Sequence, residues 1–394
     1  MATHIASELE ANMKHFKWPD CVILTIMLLI CVLIGLYFGI YRGYTNVQEY
    51  LMGGRKMKIF PITVSLVASY ISAISILGIP TDIYLYGVHY LYSLGGFTLM
   101  IFIMNYIYLP VFYGLNLTSV YEYLERRFNK KVKLFGSLLY IINMILWSPM
   151  AIYVSALTFS QVTDVNVHVI TPVLCTICAF YTSLGGVKAV VYTDVIQSTI
   201  MFAAMVLVAI IGTINVGGLY TVLARNLESG RIEGPNLDFN LSSKYTIWSL
   251  IVGGSINYLQ IASINQNMLQ RYLALPSISH AKKAVWFFVL EFCAFFLVCG
   301  YCGLLIYATF YKCNPLSTKL VKEKDQLLPL LAMQVLGDYP GLPGIFVAGI
   351  LSASLSTPLT EKQSFIVMKL TVVIFGVICV GMVYIIEQLG AILQ

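Results

Sequence analysis

Charge is what this sequence has least of. Only 11% of its 394 residues are Asp, Glu, Lys or Arg, against 59% that are apolar, a balance outside the range of soluble globular domains. Such scarcity leaves no stretch able to form a separate water-facing domain. Carboxylates are rarer still than bases, 18 against 24, and the apolar runs hold almost none, which argues against Mg or Ca sites. No HExxH, no phosphate-binding loop and no nucleophile set beside a base occurs in a plausible context, so an enzyme is not expected, nor is an organic cofactor. No basic run is interleaved with stacking aromatics, so no nucleic-acid partner is expected. Eight of the nine cysteines fall in apolar runs, where free Cys behaves as a small hydrophobe. Cys175 and Cys178 form a CxxC without a second pair or a His cluster, and no transition-metal site is expected. The first twenty residues, MATHIASELEANMKHFKWPD, have no apolar core and cannot be a cleavable signal peptide.

What is present is a succession of apolar windows long enough to cross about 30 Å of hydrocarbon. The pattern predicts ten spans, near 21–41, 59–86, 91–114, 134–160, 167–184, 193–214, 246–265, 284–310, 341–357 and 365–393. Fifteen of the 24 basic residues fall on one alternate set of links, and the positive-inside rule then puts the amino-terminal segment 1–20 outside. The expected location is the plasma membrane, as a multi-pass protein. Asn240 begins an NLS sequon in an outer loop and is a glycosylation candidate, whereas Asn116 begins an NLT sequon on the inner side and is not.

Two spans carry unusual chemistry. In FPITVSLVASYISAISILGIPTDIYLYG, Ser65, Ser69 and Ser72 recur at helical spacing, and Gly78 and Pro80 are expected to interrupt the helix near its outer half. A break at membrane depth frees carbonyls that are costly unless they line a cavity or hold a cation; the alternative is close helix packing with a simple kink. In FVAGILSASLSTPLTEKQ, Ser352 and Ser356 lie four apart, as do Ala353 and Thr357. Uncharged oxygens suit a weakly held monovalent cation such as sodium. Glu291 is the clear ionisable exception inside a span and is read either as functional or as paired to a neighbouring helix. Asp82 and Asp194 sit near span ends.

The segments YTSLGGVKAVVYTDVIQ (181–197), QRYLALPSISHAKKA (270–284), DQLLP (325–329) and GLPGIFVAGILSASLST (341–357) resemble, in order and spacing, hallmark segments of the sodium/solute symporter family. The likeness is to its animal branch, with an insect-like texture, of sodium-coupled monocarboxylate, iodide and multivitamin transporters. It implies an all-α polytopic fold, the inverted repeat of five plus five helices of the bacterial leucine transporter with an extra amino-terminal helix. The extra helix is then 21–41, the first five-helix repeat 59–214, and a partial second repeat of four helices 246–393. The resemblance implies sodium as coupling ion, held by carbonyls of Ala68, Ile71 and Ala353 and by hydroxyls of Ser356 and Thr357. Tyr153 is similar in placement to a tyrosine near this site in the iodide branch. The solute is expected near Ser69, Ser72 and Ser75. Where the sugar-transporting branch has Asn and His, this chain has Tyr70 and Ser75, so a small, anionic, monocarboxylate-like solute is expected instead of a sugar. Gly185 and Gly186 are expected to end one helix and Asp194 to cap the next, a hinge at the inner gate. Arg271 is read as a gate ion pair or as a lipid-facing anchor.

The pattern departs from the family in two places. Family members continue the hydroxyl helix beyond Thr357, whereas here Pro358 follows at once and disfavours helical geometry at Thr357. The sequence also stops before a tenth core helix, so the second repeat is expected to be incomplete. The expected function is a sodium-coupled symporter working by alternating access. The alternative is a transport-inactive truncated isoform that associates with full-length symporters.

Overall fold

The computed structural model describes residues 16–43, 47–115, 117, 119–163, 165–239, 243, 245–318, 320, 321, 323–355, 377, 378 and 380–383. Among these residues there is no strand. Chains that leave water must satisfy every backbone group internally, and helices do this segment by segment.

Helix α1 (Trp18–Arg42) starts with Pro19 in its first turn, where a missing N–H costs nothing, and ends in a π-helical turn, Tyr37–Arg42. After the short α2 (Val47–Met52) come α3 (Ile59–Tyr70) and α4 (Ala73–Tyr86), which meet at an angle of 64°. The chain continues through α5 (Val88–Gly114), the short α6 (Val120–Arg127), α7 (Lys130–Thr163) and α8 (Val167–Val216). The spans expected at 167–184 and 193–214 are the two halves of α8, separated by the non-helical Gly186 at φ 54°, ψ −163°. The two longest links between the expected spans carry α9 (Leu219–Glu228) and α13 (Leu327–Leu336). Between them lie α10 (Ser249–Ile264), α11 (Gln266–Leu273) and α12 (Ile278–Thr309), and α14 (Leu342–Leu355) follows. The tenth expected span, 365–393, lies almost wholly outside the described residues.

The bent pair α3/α4 is the centre of the fold. Both of its halves pack on α12, and α3 also packs on α8. Helix α14 lies against α8, α1, α7 and α4, while α10 packs on α5. Glycines permit the closest of these approaches: a Cβ on Gly35 would stand 2.6 Å from the Tyr181 Cβ, and one on Gly39 would stand 2.5 Å from the Leu184 carbonyl oxygen. Without a hydrophobic drive between helices in lipid, such backbone-to-backbone contact is a main source of association. Large apolar side chains on the outer face of α7, among them Leu134, Phe135 and Leu138, are exposed, as a lipid-facing surface requires.

Candidate functional site

The break between α3 and α4 sits at Ile71 and Ser72, not at Gly78 and Pro80. The ladder of α3 ends where the Ile71 N–H donates to the Val67 carbonyl at 2.9 Å. Ile71 and Ser72 are both extended, and Ser72 then caps α4, its hydroxyl accepting from the Ser75 N–H at 3.3 Å and lying 3.2 Å from the Ser75 hydroxyl. A Ser N-cap stabilises a helix start by about 1 kcal/mol. Gly78 and Pro80, expected to interrupt the helix, lie inside α4, which runs through them. Around Pro80, α12 approaches so closely at Gly303 that a Cβ there would be 2.6 Å from the Pro80 carbonyl oxygen, and the Thr81 hydroxyl donates to the Leu77 carbonyl at 2.8 Å. Hydroxyls of this kind are how membrane helices tolerate proline.

The break also divides the three hydroxyls expected on one face. Ser72 belongs to the start of α4, and the Ser69 hydroxyl is buried with no hydrogen-bond partner among the described residues. Ser65 is committed elsewhere. Of the residues expected to hold sodium, Ala68, Ile71 and Ala353 are all buried, the first two at the break and the third on α14, which packs against α4. Ser356 and Thr357 lie outside the described residues, as does Asn240. The Ser352 hydroxyl donates to the Ala348 carbonyl at 2.6 Å and lies 3.9 Å from the Met27 sulfur on α1. Tyr153 is half-buried on α7, the helix that touches both α4 and α14. Among the described residues no cluster of His, Cys, Asp and Glu suits a metal ion.

Beneath the break lies a buried charge cluster. Arg271 on α11 donates through Nη2 to Asp194 Oδ2 at 3.0 Å and through Nε to the Ser65 hydroxyl at 2.6 Å; Ser65 in turn donates to Asp194 Oδ2 at 2.5 Å. The Nη1 of Arg271 reaches the Asn267 carbonyl at 2.9 Å. Arg271 is 3% exposed, and Asp194 and Ser65 are fully buried. Asp194 therefore does not cap a helix: it lies inside the second half of α8 and joins it to α3 and α11. Of the two readings of Arg271, burial excludes the lipid-facing anchor. Asp194 Oδ1 has no hydrogen-bond partner among the described residues.

Two further breaks position this cluster. Asn265 leaves the helix at φ −64°, ψ 122° and caps α11 by accepting from the Asn267 N–H at 2.9 Å, so α10 ends where the expected span 246–265 ends and α11 follows it as a separate short helix. At Gly186 a Cβ would stand 2.7 Å from the Tyr50 ring, and the Tyr50 hydroxyl donates to the Ser183 carbonyl at 3.0 Å. Burial pushes the Tyr50 phenol up to about 12, so it stays a donor at any physiological pH. Gly185 is buried against Gly35.

Above the cluster the break is lined by aromatics that sequence spacing did not reveal. The Tyr70 ring centroid lies 4.8 Å from that of Phe292 and 5.6 Å from that of Phe288, and Phe97 stacks on Tyr258 at 4.0 Å. At the far end of α4, Asp82 accepts from the Tyr245 hydroxyl at 2.6 Å and 2.7 Å. Arg231 donates to the Tyr84 carbonyl at 2.9 Å, with its guanidinium 3.6 Å from the Tyr307 ring centre. Glu291 is half-buried on α12, on the side that carries the exposed Phe287 and Leu290, and has no partner among the described residues.

The model of the sodium:solute symporter family matches residues 50–367. The chain is 35% identical over 406 residues to sodium-coupled monocarboxylate transporter 1 of Xenopus laevis, covering 97% of this chain and 65% of that one. To the human protein of the same name it is 36% identical over 400 residues, with 95% and 65% covered. A putative sodium-dependent multivitamin transporter of Drosophila melanogaster is 34% identical over 95% of this chain and 67% of its own. The chain thus spans 65% of the length of the first two relatives. Among solved structures, a Na+-coupled sialic acid symporter in a substrate-bound outward-open state superposes with a TM-score of 0.85 at 22% identity, over 95% of this chain and 83% of that one. The architecture is therefore that fold: an all-α, multi-pass membrane protein of the leucine-transporter type.

Proposed function

The chain belongs to the sodium:solute symporter family, and from that premise we propose that it carries a small organic anion, of monocarboxylate type, across the plasma membrane with sodium by alternating access. The observation that carries this reading is the α3/α4 break. It ends the α3 ladder at Ile71, beside Ala68, and starts α4, which packs on the helix that bears Ala353. Carbonyls turned out of a broken helix are the usual donors for a coupling cation. In this reading sodium is held by those three carbonyls with the hydroxyls of Ser356 and Thr357, and the two repeats are 59–214 and 246–393.

The amino end of α4 faces the same break. Its unsatisfied N–H groups and helix dipole favour an anion beside Ser69, Ser72 and Ser75, with Tyr153 at the edge. The names of the relatives, monocarboxylate and multivitamin transporters, agree with an anionic solute. The pair of Asp194 with Arg271 acts as the inner gate, with Gly185 and Gly186 as its hinge, because it ties α3, α8 and α11 together below the break. Opening to that side requires breaking it.

The test is sodium-dependent uptake of labelled lactate, pyruvate and glucose in cells that lack related symporters. Uptake of the carboxylates but not of glucose is expected, with the sodium dependence abolished by Ser356→Ala or Thr357→Ala. Glucose uptake without carboxylate uptake would overturn the solute class. A second reading, a transport-inactive form that assembles with longer homologues, is favoured by Pro358 directly after Thr357; it predicts no uptake from this chain alone and co-purification with such a homologue.

A further inference from the structure

A cavity of about 670 Å³ opens at the inner end of α1, away from the α3/α4 break. Three cations line it, Arg42, Lys56 and Lys188, with one carboxylate, Glu49. Lys188 Nζ lies 2.6 Å from Glu49 Oε1. Arg42 and Lys56 have no carboxylate partner among the described residues, so the lining carries an excess of positive charge.

The cavity is built, not a chance gap between mobile loops. The π-helical turn adds a residue to the last turn of α1, and Tyr37, Phe38 and Arg42 line the cavity while Ile40 and Tyr41 remain 70% and 81% exposed. The contact of Gly39 with the Leu184 backbone fixes that turn on α8. Phe38 stacks on Tyr192 of α8 at 5.4 Å, forming one wall. Arg42 Nε donates to the Tyr37 hydroxyl at 3.3 Å, which holds the guanidinium at the mouth. The opposite edge is the Gly53 and Gly54 turn, at φ 58° and 71°; at Gly54 an added Cβ would meet nothing within 4 Å.

The location identifies the source of the anion. Ile40 and Tyr41, outside the mouth, lie at the end of a membrane-spanning helix, at the depth of an aromatic belt. By charge distribution this is the inner face, whose leaflet carries acidic lipids, and basic pockets between helices on that side suit their headgroups. We propose that the cavity binds the phosphate-bearing headgroup of an acidic phospholipid, with Arg42, Lys56 and Lys188 on the phosphate and the acyl chains passing Ile40 and Tyr41. Inorganic phosphate shares the chemistry but lacks the acyl anchor.

The test titrates the detergent-solubilised full chain with phosphatidylinositol phosphate labelled on an acyl chain. Phosphatidylcholine with the same label is the control. Arg42→Gln/Lys56→Gln should bind about tenfold to thirtyfold more weakly, from about 1 kcal/mol per basic side chain. Lys130→Gln/Lys131→Gln, which removes two exposed cations outside the cavity lining, should bind like the unsubstituted chain. Equal losses in both double variants would reduce the effect to general surface charge and overturn the site. Displacement of the lipid by millimolar inorganic phosphate would assign the cavity to a soluble anion and overturn the lipid. Arg42 and Lys56 are exposed, so folding should survive; if the double variant melts early, Lys56→Gln alone must still weaken binding about fivefold, and no change would sink the proposal.

Discussion

The two ends of the bent helix are held by different physics. Below the break, α3 is tied to α8 and α11 by one fully buried ion pair with a bridging serine. Above it, the outer end of α4 is held by several half-exposed contacts: Tyr245 on Asp82, Arg231 on the Tyr84 carbonyl and the Tyr307 ring, and the Val88 N–H on the Arg231 carbonyl at 2.9 Å. Gly87, at φ 78°, lets that last strand of chain lie against Arg231, where a Cβ would be 2.5 Å from its carbonyl oxygen. A buried pair fails as a unit, because losing one partner strands the other charge in a dry site. Distributed contacts loosen one at a time. On the proposed gating role the inner pair would act as a latch, whereas the outer contacts are small restraints expected to act nearly independently.

The sharpest way to break this contrast is Arg271→Met, which strands the Asp194 carboxylate. About 3–5 kcal/mol of stability should be lost, seen as a large drop in thermal unfolding temperature of the purified protein, and most of it should return in Arg271→Met/Asp194→Leu. If the double variant melts as early as the single one, the pair is not the latch. Arg231→Ala removes a carbonyl hydrogen bond and a cation stacked on a ring at the outer end, and should cost about 1–2 kcal/mol in the same assay. The smallest effect is expected of Tyr245→Phe, about 1 kcal/mol from one lost hydrogen bond. Combined with Arg231→Ala, it should add with little coupling; a strong coupling energy would mean that the outer contacts also switch together.

Within the described residues, the apolar spans, their order and the presence of a broken helix were legible in the sequence because composition largely decides what enters lipid. The position of the break was not. Gly78 and Pro80 look like the breakers, but α12 packs against the Pro80 carbonyl at Gly303 and the Thr81 hydroxyl bonds the Leu77 carbonyl, while the restart is set by the Ser72 hydroxyl on the Ser75 N–H. A cap that weak competes with many other serines, and only tertiary packing selects it. Asp194 and Arg271 were both singled out, but their pairing spans 77 residues, beyond any helical periodicity, and without it Asp194 read as a cap. Ser65 was visible as a hydroxyl on a helix face; its role as a bridge exists only once α3, α8 and α11 converge. The aromatic lining around Tyr70 comes from α5, α10 and α12 and has no local signature at all.

Asp20 ties the first span to the last described one. Its Oδ1 accepts from the Gly341 and Gly344 N–H groups at 3.0 Å each, capping the start of α14, while Oδ2 accepts from the Lys17 N–H at 2.8 Å. Asp20 is 1% exposed, yet Gly341 and Gly344 leave the ribosome on the order of tens of seconds after it, at the usual rate of synthesis. During that interval α1 stands in the bilayer with a carboxylate that must stay at the wet surface, and Gly35 and Gly39 have only α8 to lean on once it arrives. The seating of α1 on α14 is therefore a late event of synthesis, and until then this one side chain keeps the upper end of α1 at the water interface.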